Sequence, residues 1–163
     1  MKKRRVKRLT HVRPDGSASM VDVSGKPQSV RTARARGAIR MNMVALEAIR
    51  LHTVAKGDVL SVARVAGIMA AKRTAELVPL CHPLVLDDVQ VDLRVDPALP
   101  GIRAVSAVRT TGRTGVEMEA IVAVTVSLVT VYDMAKSLDR GMEIGDISLA
   151  EKAGGRSGRY IAD

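Results

Sequence analysis

The chain contains no phenylalanine and no tryptophan, and its whole aromatic content is Tyr132 and Tyr160. Sheet-type readers of single-stranded RNA or DNA stack bases on exposed rings, so that class loses its main instrument here. A single cysteine, Cys81, excludes an internal disulfide and fits a reducing cytoplasm. Long apolar runs are also missing. The longest uncharged stretch, residues 120–132, is interrupted by Thr125, Ser127 and Thr130 and falls short of the roughly 20 apolar residues that cross a bilayer. A soluble chain without membrane association is therefore expected. Acidic residues are absent from residues 1–13, where Lys2, Lys3, Arg4, Arg5, Lys7, Arg8 and Arg13 supply all but two of the net +9 charges. That run is either a solvated extension or a weak polyanion contact. No apolar segment follows it, so it does not read as a secretory signal.

What is present suits one domain. The 163 residues are 47% hydrophobic and 26% charged, a composition that buries a core and stands outside the disordered class. Without large rings, that core must be built from Val, Ala, Leu, Ile and Met. The expected organisation is a basic extension over residues 1–19, a single domain over 20–152, and a flexible glycine-rich tail over 153–163. No internal repeat is evident.

Local patterning gives the elements. Ala33, Ala35, Ile39 and Met41 alternate with Arg34, Arg36 and Arg40, the period of a strand. Asn42 is a good N-cap for a short helix, and Asp58 for a second one that the spacing of Val59, Val62, Ala63, Ala66, Met69, Ala70 and Leu77 carries to about residue 77, before Pro79. Residues 86–96 alternate again through Val89, Val91, Leu93 and Val95. A turn at 96–101 leads to a partner strand over about 102–110. Residues 116–138 are rich in Val and Thr, yet run more than twenty residues without Gly or Pro, and length decides for helix. A last strand is expected over 144–150. The order β-α-α-β-β-α-β resembles the split βαβ plan of ferredoxin-like folds: an α+β protein with an antiparallel sheet and helices on one face.

Three clusters can carry chemistry. In Pro79-Leu80-Cys81-His82-Pro83-Leu84, His82 is an acid-base group, an anion contact or a structural loop histidine. Cys81 beside it gives no metal spacing, since no second Cys or His pair exists, so no metal site is expected. In Thr111-Gly112-Arg113-Thr114-Gly115-Val116-Glu117-Met118-Glu119, a glycine-punctuated loop feeds a helix start whose free N–H groups suit an anion. Glu117 and Glu119 are helix-start carboxylates, or they hold the donor edge of a guanine-like ring. In Tyr132-Asp133-Met134-Ala135-Lys136, Asp133 and Lys136 share one helix face, which alone is compatible with a plain surface ion pair.

Together with Met20-Val21-Asp22-Val23-Ser24, Lys56-Gly57-Asp58-Val59 and Ala70-Ala71-Lys72-Arg73-Thr74, these stretches resemble, in order, the MoaC family over about residues 9–158. The resemblance implies a lyase that converts (8S)-3',8-cyclo-7,8-dihydroguanosine 5'-triphosphate to cyclic pyranopterin monophosphate and releases pyrophosphate, in molybdenum cofactor biosynthesis. It implies Asp133, Lys136 and Lys56 as catalytic residues, and Leu80, Cys81, His82, Glu117, Met118, Glu119, Lys72 and Lys152 as substrate-binding ones. It further implies a cytoplasmic homohexamer, a trimer of dimers with interface active sites, supplied by the upstream enzyme MoaA. No resident cofactor is implied, with room for Mg²⁺ to accompany the triphosphate. Three departures stand out: the extended basic N-terminus, Ala75 where an aromatic is common, and Arg156 where lysine is commoner; arginine keeps the charge but is a poor proton shuttle. Two other classes stay open from the residues alone, a basic nucleic-acid-binding module and a catalytically silent subunit of the same fold.

Overall fold

The computed structural model describes residues 15–155 and 158–162; the basic run at 2–13 and Arg156 lie outside them. Five strands and four helices follow the order β1 (Ser29–Arg40), α1 (Met43–Arg50), α2 (Val59–Lys72), α3 (Thr74–Leu77), β2 (Asp88–Asp96), β3 (Gly101–Gly112), α4 (Glu117–Ala135), β4 (Glu143–Ala153) and β5 (Tyr160–Ile161). The sheet runs β2-β3-β1-β4-β5, with every neighbouring pair antiparallel. β3 lies between β1 and β2, and β1 lies between β3 and β4, so two split βαβ units interlock in the ferredoxin-like manner.

Alternation in β1 does what its pattern requires. Ala33, Ala35, Gly37 and Ile39 are buried, while Arg34, Arg36 and Arg40 stay exposed. From β3, Ile102, Ala104, Ser106 and Val108 join them, and from β2, Val91 and Leu93. These side chains are small, so the helices can approach the sheet closely. Helix also packs closely on helix: at Gly67 of α2 an added Cβ would stand 2.1 Å from Ser127 Oγ and 2.7 Å from the Ala123 carbonyl of α4. Overpacking of that kind costs about 1–3 kcal/mol. We expect Gly67→Ala to lower Tm by several degrees in a thermal melt, at roughly 2–4 °C per kcal/mol for a chain of this size.

α4 is a helix although its residues favour strands, and its hydroxyls bond within it. Thr125, Ser127 and Thr130 donate to the carbonyls of Ile121, Ala123 and Val126 at 2.8–2.9 Å, which hides their polarity from the core. By length and composition α4 would suit a membrane span. Here it is the central core helix, with Ala120, Ala123, Val124, Leu128, Val131 and Ala135 fully buried. Both expected caps are present: Asn42 Oδ1 accepts from Ala45 N–H at 2.8 Å and Asp58 Oδ1 from Ser61 N–H at 3.1 Å.

Three boundaries differ from the sequence reading. The helix expected to run to residue 77 breaks at Arg73, whose φ of −113° leaves the helical region. Just past the break Thr74 is buried and donates its hydroxyl to Ala71 O at 3.0 Å. β1 begins at Ser29 rather than Ala33, since Ser29 to Thr32 pair with β3 through backbone alone. β4 extends through Lys152 to Ala153, and Tyr160 and Ile161 return to pair with Lys152 and Glu151. Residues expected as a wholly flexible tail thus include a short edge strand.

Candidate functional site

The polar residues singled out above gather at the two ends of α4. At its C-terminal end, Lys56 arrives from the loop between α1 and α2. Its Nζ donates to Asp133 Oδ2 and to the Asp133 carbonyl, both at 2.8 Å. Lys136, one turn beyond Asp133, donates to Oδ1 at 2.7 Å. The cluster is anchored by Asp139, which accepts from the N–H groups of Asn42 at 2.7 Å and Gly141 at 2.8 Å. That ties the turn after α4 to the start of α1.

Hydrogen bonds from Lys136 and then Lys56, reinforced by their charges, pull the Asp133 carboxyl down to about 2. Asp133 is therefore ionised at neutral pH, a base or charge stabiliser flanked by two ammonium donors. Because its pKa is depressed below the ordinary value near 3.9, the ion pairs hold above that value and are lost as pH falls toward 2.

At the N-terminal end of α4, a cavity of about 490 Å³ is lined by Val21, Val23, Lys26, Leu80, Cys81, His82, Leu84, Thr114, Gly115, Glu117, Met118, Glu119 and Lys152. It opens on two smaller hollows. One, of about 250 Å³, shares Lys26, Glu117 and Lys152 and adds Arg31, Arg113 and Gly154. The other, of about 130 Å³, shares His82 and Glu119 and adds Lys72. β4 places Lys152 and α4 places Glu117 so that Nζ and Oε1 meet at 2.7 Å, both half-buried. Arg31 on β1 reaches the Arg113 carbonyl at 3.5 Å, while its buried Nε has no partner among the described residues. α4 starts without a side-chain cap, so its first-turn N–H groups retain their positive end of the helix dipole.

Two groups in this cavity have their charged forms disfavoured. Burial lifts the Glu119 carboxyl above the ordinary carboxylate range, and the neighbouring Glu117 adds to the lift. Burial also raises the Cys81 thiol, with Glu119 contributing. Because Glu119 titrates above its unfolded value, ionising it opposes folding as pH rises past about 4.3. Glu119→Gln is therefore expected to raise Tm relative to the parent at pH 7, with the difference shrinking toward zero near pH 4, in melts across that range.

All eleven residues expected from sequence fall in one of these two regions: Asp133, Lys136 and Lys56 in the first, and the other eight around the second. Within a single chain the regions do not meet. Glu119 and Asp133 are 14 positions apart on one helix, about 21 Å at 1.5 Å per residue. Sequence reasoning missed Lys26, Arg31 and Arg113 as cavity residues. Lys26 lies in no patterned segment, and Arg31 stood ahead of the alternation that marks β1. Arg113 did lie in the glycine-punctuated loop whose N–H groups suggested an anion.

The sheet order, the one-sided helix layer and a cavity ringed by Lys26, Arg31, Arg113 and Lys152 define a ferredoxin-like α+β protein built to hold a small anionic ligand. A model described as "MoaC family" matches residues 20–155, and the chain belongs to the MoaC family. Relatives from Methylobacterium sp. (strain 4-46) and Methylobacterium nodulans are each 59% identical over 155 residues, covering 95% of this chain and 97% of theirs. A relative from Cereibacter sphaeroides is 54% identical over 154 residues, covering 94% and 97%. All three are named cyclic pyranopterin monophosphate synthase.

Proposed function

We propose that this chain catalyses the cyclic pyranopterin monophosphate synthase reaction, rearranging the cyclised dihydroguanosine triphosphate to cyclic pyranopterin monophosphate and pyrophosphate. The observation that carries the reading is the cation-ringed cavity: Lys26, Arg31, Arg113 and Lys152 face one space in which, among the described residues, Glu117 is the one carboxylate and the buried Arg31 Nε–H has no acceptor. A buried donor without a partner calls for one, and phosphate oxygens supply it. The adjoining larger cavity has Glu117, Glu119 and His82 to take the donor edge of a purine-derived ring. Negative charge building on the departing pyrophosphate is stabilised by the cations, while ring opening and closure need the proton donors and acceptors of the Asp133 cluster.

Proton transfer works over about 3 Å, so the two ends of α4 serve one ligand only when a second copy of the chain supplies one of them. We read the active site as an interface site of a homohexamer, a trimer of dimers. In support, Val62, Val65 and Met69 form an exposed apolar stripe on α2, with Val129 exposed on α4, a surface of the kind that subunit contacts cover. In this reading the enzyme works in the cytoplasm on material made by MoaA, uses no redox cofactor, and has no resident metal. Any Mg²⁺ is expected to ride on the substrate's phosphates. The test is direct: incubation of the pure protein with the cyclised triphosphate is expected to yield pyrophosphate and a pyranopterin product in equal amounts. Folded protein that yields neither contradicts the proposal.

A further inference from the structure

His82 does not face the cavity unassisted. Residues 19–28 cross the cavity mouth with almost no regular structure, and one side-chain bond fastens them there: His82 Nε2 lies 2.8 Å from the Val21 carbonyl, 61 residues away in sequence. A carbonyl can only accept, so the hydrogen in this bond belongs to His82 Nε2. The neutral ring is thereby fixed as the Nε2–H tautomer, and Nδ1 is left as its one lone-pair nitrogen. The next residue shapes the strap. Asp22 Oδ1 accepts from Ser24 N–H at 2.8 Å, closing an Asx turn immediately after the Val21 carbonyl. That bond holds the Asp22 carboxyl below its usual range, and the proximity of His82 lowers it further. Val21, Val23 and Lys26 of the same strap line the cavity with Leu80, Cys81 and His82.

We propose that the Val21–Asp22 strap is a positioning device for His82, with Asp22 its positioning residue, which presents Nδ1 alone as the nitrogen that bonds to or exchanges a proton with the anionic ligand. The device rests on the reaction proposed above but acts before any ligand arrives. It needs no new charge in the pocket, where Lys26, Lys72, Glu117, Glu119 and Lys152 already stand around the histidine. Partners that orient a metal-bound histidine through its other nitrogen are typically worth about 10–100-fold, and the lower end of that scale is the effect expected for orienting His82.

The test uses the full chain labelled with ¹⁵N-histidine. Its three histidines, His11, His52 and His82, are resolved by long-range ¹H–¹⁵N correlation, with His82→Gln assigning the site. The expected spectrum of the ligand-free parent, recorded above the histidine titration range, shows His82 as the Nε2–H tautomer. Asp22→Ala, which opens the turn, is expected to mix the tautomers and cut turnover about tenfold. Asp22→Asn keeps an oxygen for the Ser24 N–H and is expected to keep both the tautomer and most of the turnover. A parent His82 that is Nδ1–H or an even mixture overturns the proposal, and so does Asp22→Ala with an unchanged tautomer. Should Asp22→Ala not fold, the parent spectrum and Asp22→Asn still decide. A correct tautomer in a protein that makes no product counts against the proposed reaction and leaves the strap standing.

Discussion

Asp133→Asn should abolish most turnover of the cyclised triphosphate, lowering kcat by about 10²–10⁴, while the protein stays folded. Three features of the site give that expectation. The carboxylate accepts from both Lys56 and Lys136 at 2.7–2.8 Å, so the amide removes the charge that orders both ammonium groups and places an N–H₂ where an acceptor is needed. The side chain is about half exposed, so its ion pairs do little for stability, and the loss will appear in rate rather than in Tm. Lys56, Asp133 and Lys136 also act as one unit, so effects should not add: Lys56→Ala in the Asp133→Asn background is expected to cost little more than Asp133→Asn alone. A Tm unchanged beside a collapsed kcat, with the double variant no worse, is the signature to look for in steady-state assays.

Lys152→Met should act at the other end of α4 and in the other kinetic parameter. Its ammonium is half-buried against Glu117 at 2.7 Å and faces the cavity in which Arg31 and Arg113 also stand. Removing it takes one cation from the proposed phosphate seat and leaves the Glu117 carboxylate without its lysine partner, to repel an anionic ligand. Charge-assisted hydrogen bonds are worth about 1.5–3 kcal/mol, so KM is expected to rise by about 10–100-fold. Because the lost contacts hold phosphate before and during the reaction alike, kcat should move far less. Adding Glu117→Gln should recover part of the loss, since it removes the stranded charge, and the double-mutant cycle measures how much.

How much of this was readable beforehand depends on whether the signal was local. The alternation of Ala33 to Arg40 and of Val89 to Val95 marks strands because period 2 is a property of neighbours. α4 was readable through its length against its Val and Thr content. The break at Arg73 was not, because no Gly or Pro marks it and the burial of Thr74 beyond it is a tertiary fact. Nor was β5, where two residues beyond three glycines have too little pattern to declare a strand. The site divides in the same way. Asp133 and Lys136 declare themselves by their i, i+3 spacing, whereas Lys56 joins them from 77 residues upstream and no spacing rule could bring it there; the family resemblance did. Lys26 and Arg31 reach the cavity only through the β1–β3 and β1–β4 pairings and the strap before β1, long-range facts that no window of sequence holds.

That one chain keeps the Lys56–Asp133–Lys136 cluster and the cation-ringed cavity at opposite ends of a helix is the observation on which the proposed interface site turns. Mixing two separately inactive variants, Asp133→Asn and His82→Ala, after reversible dissociation tests it most directly. If sites are shared between neighbouring copies, each mixed pair holds one doubly altered site and one intact site. About a quarter of parental turnover should then return in an equal mixture, given random pairing around a two-fold axis. A mixture that native mass spectrometry shows to have exchanged subunits, yet remains as inactive as its components, would mean that each chain works alone and that the interface site does not exist.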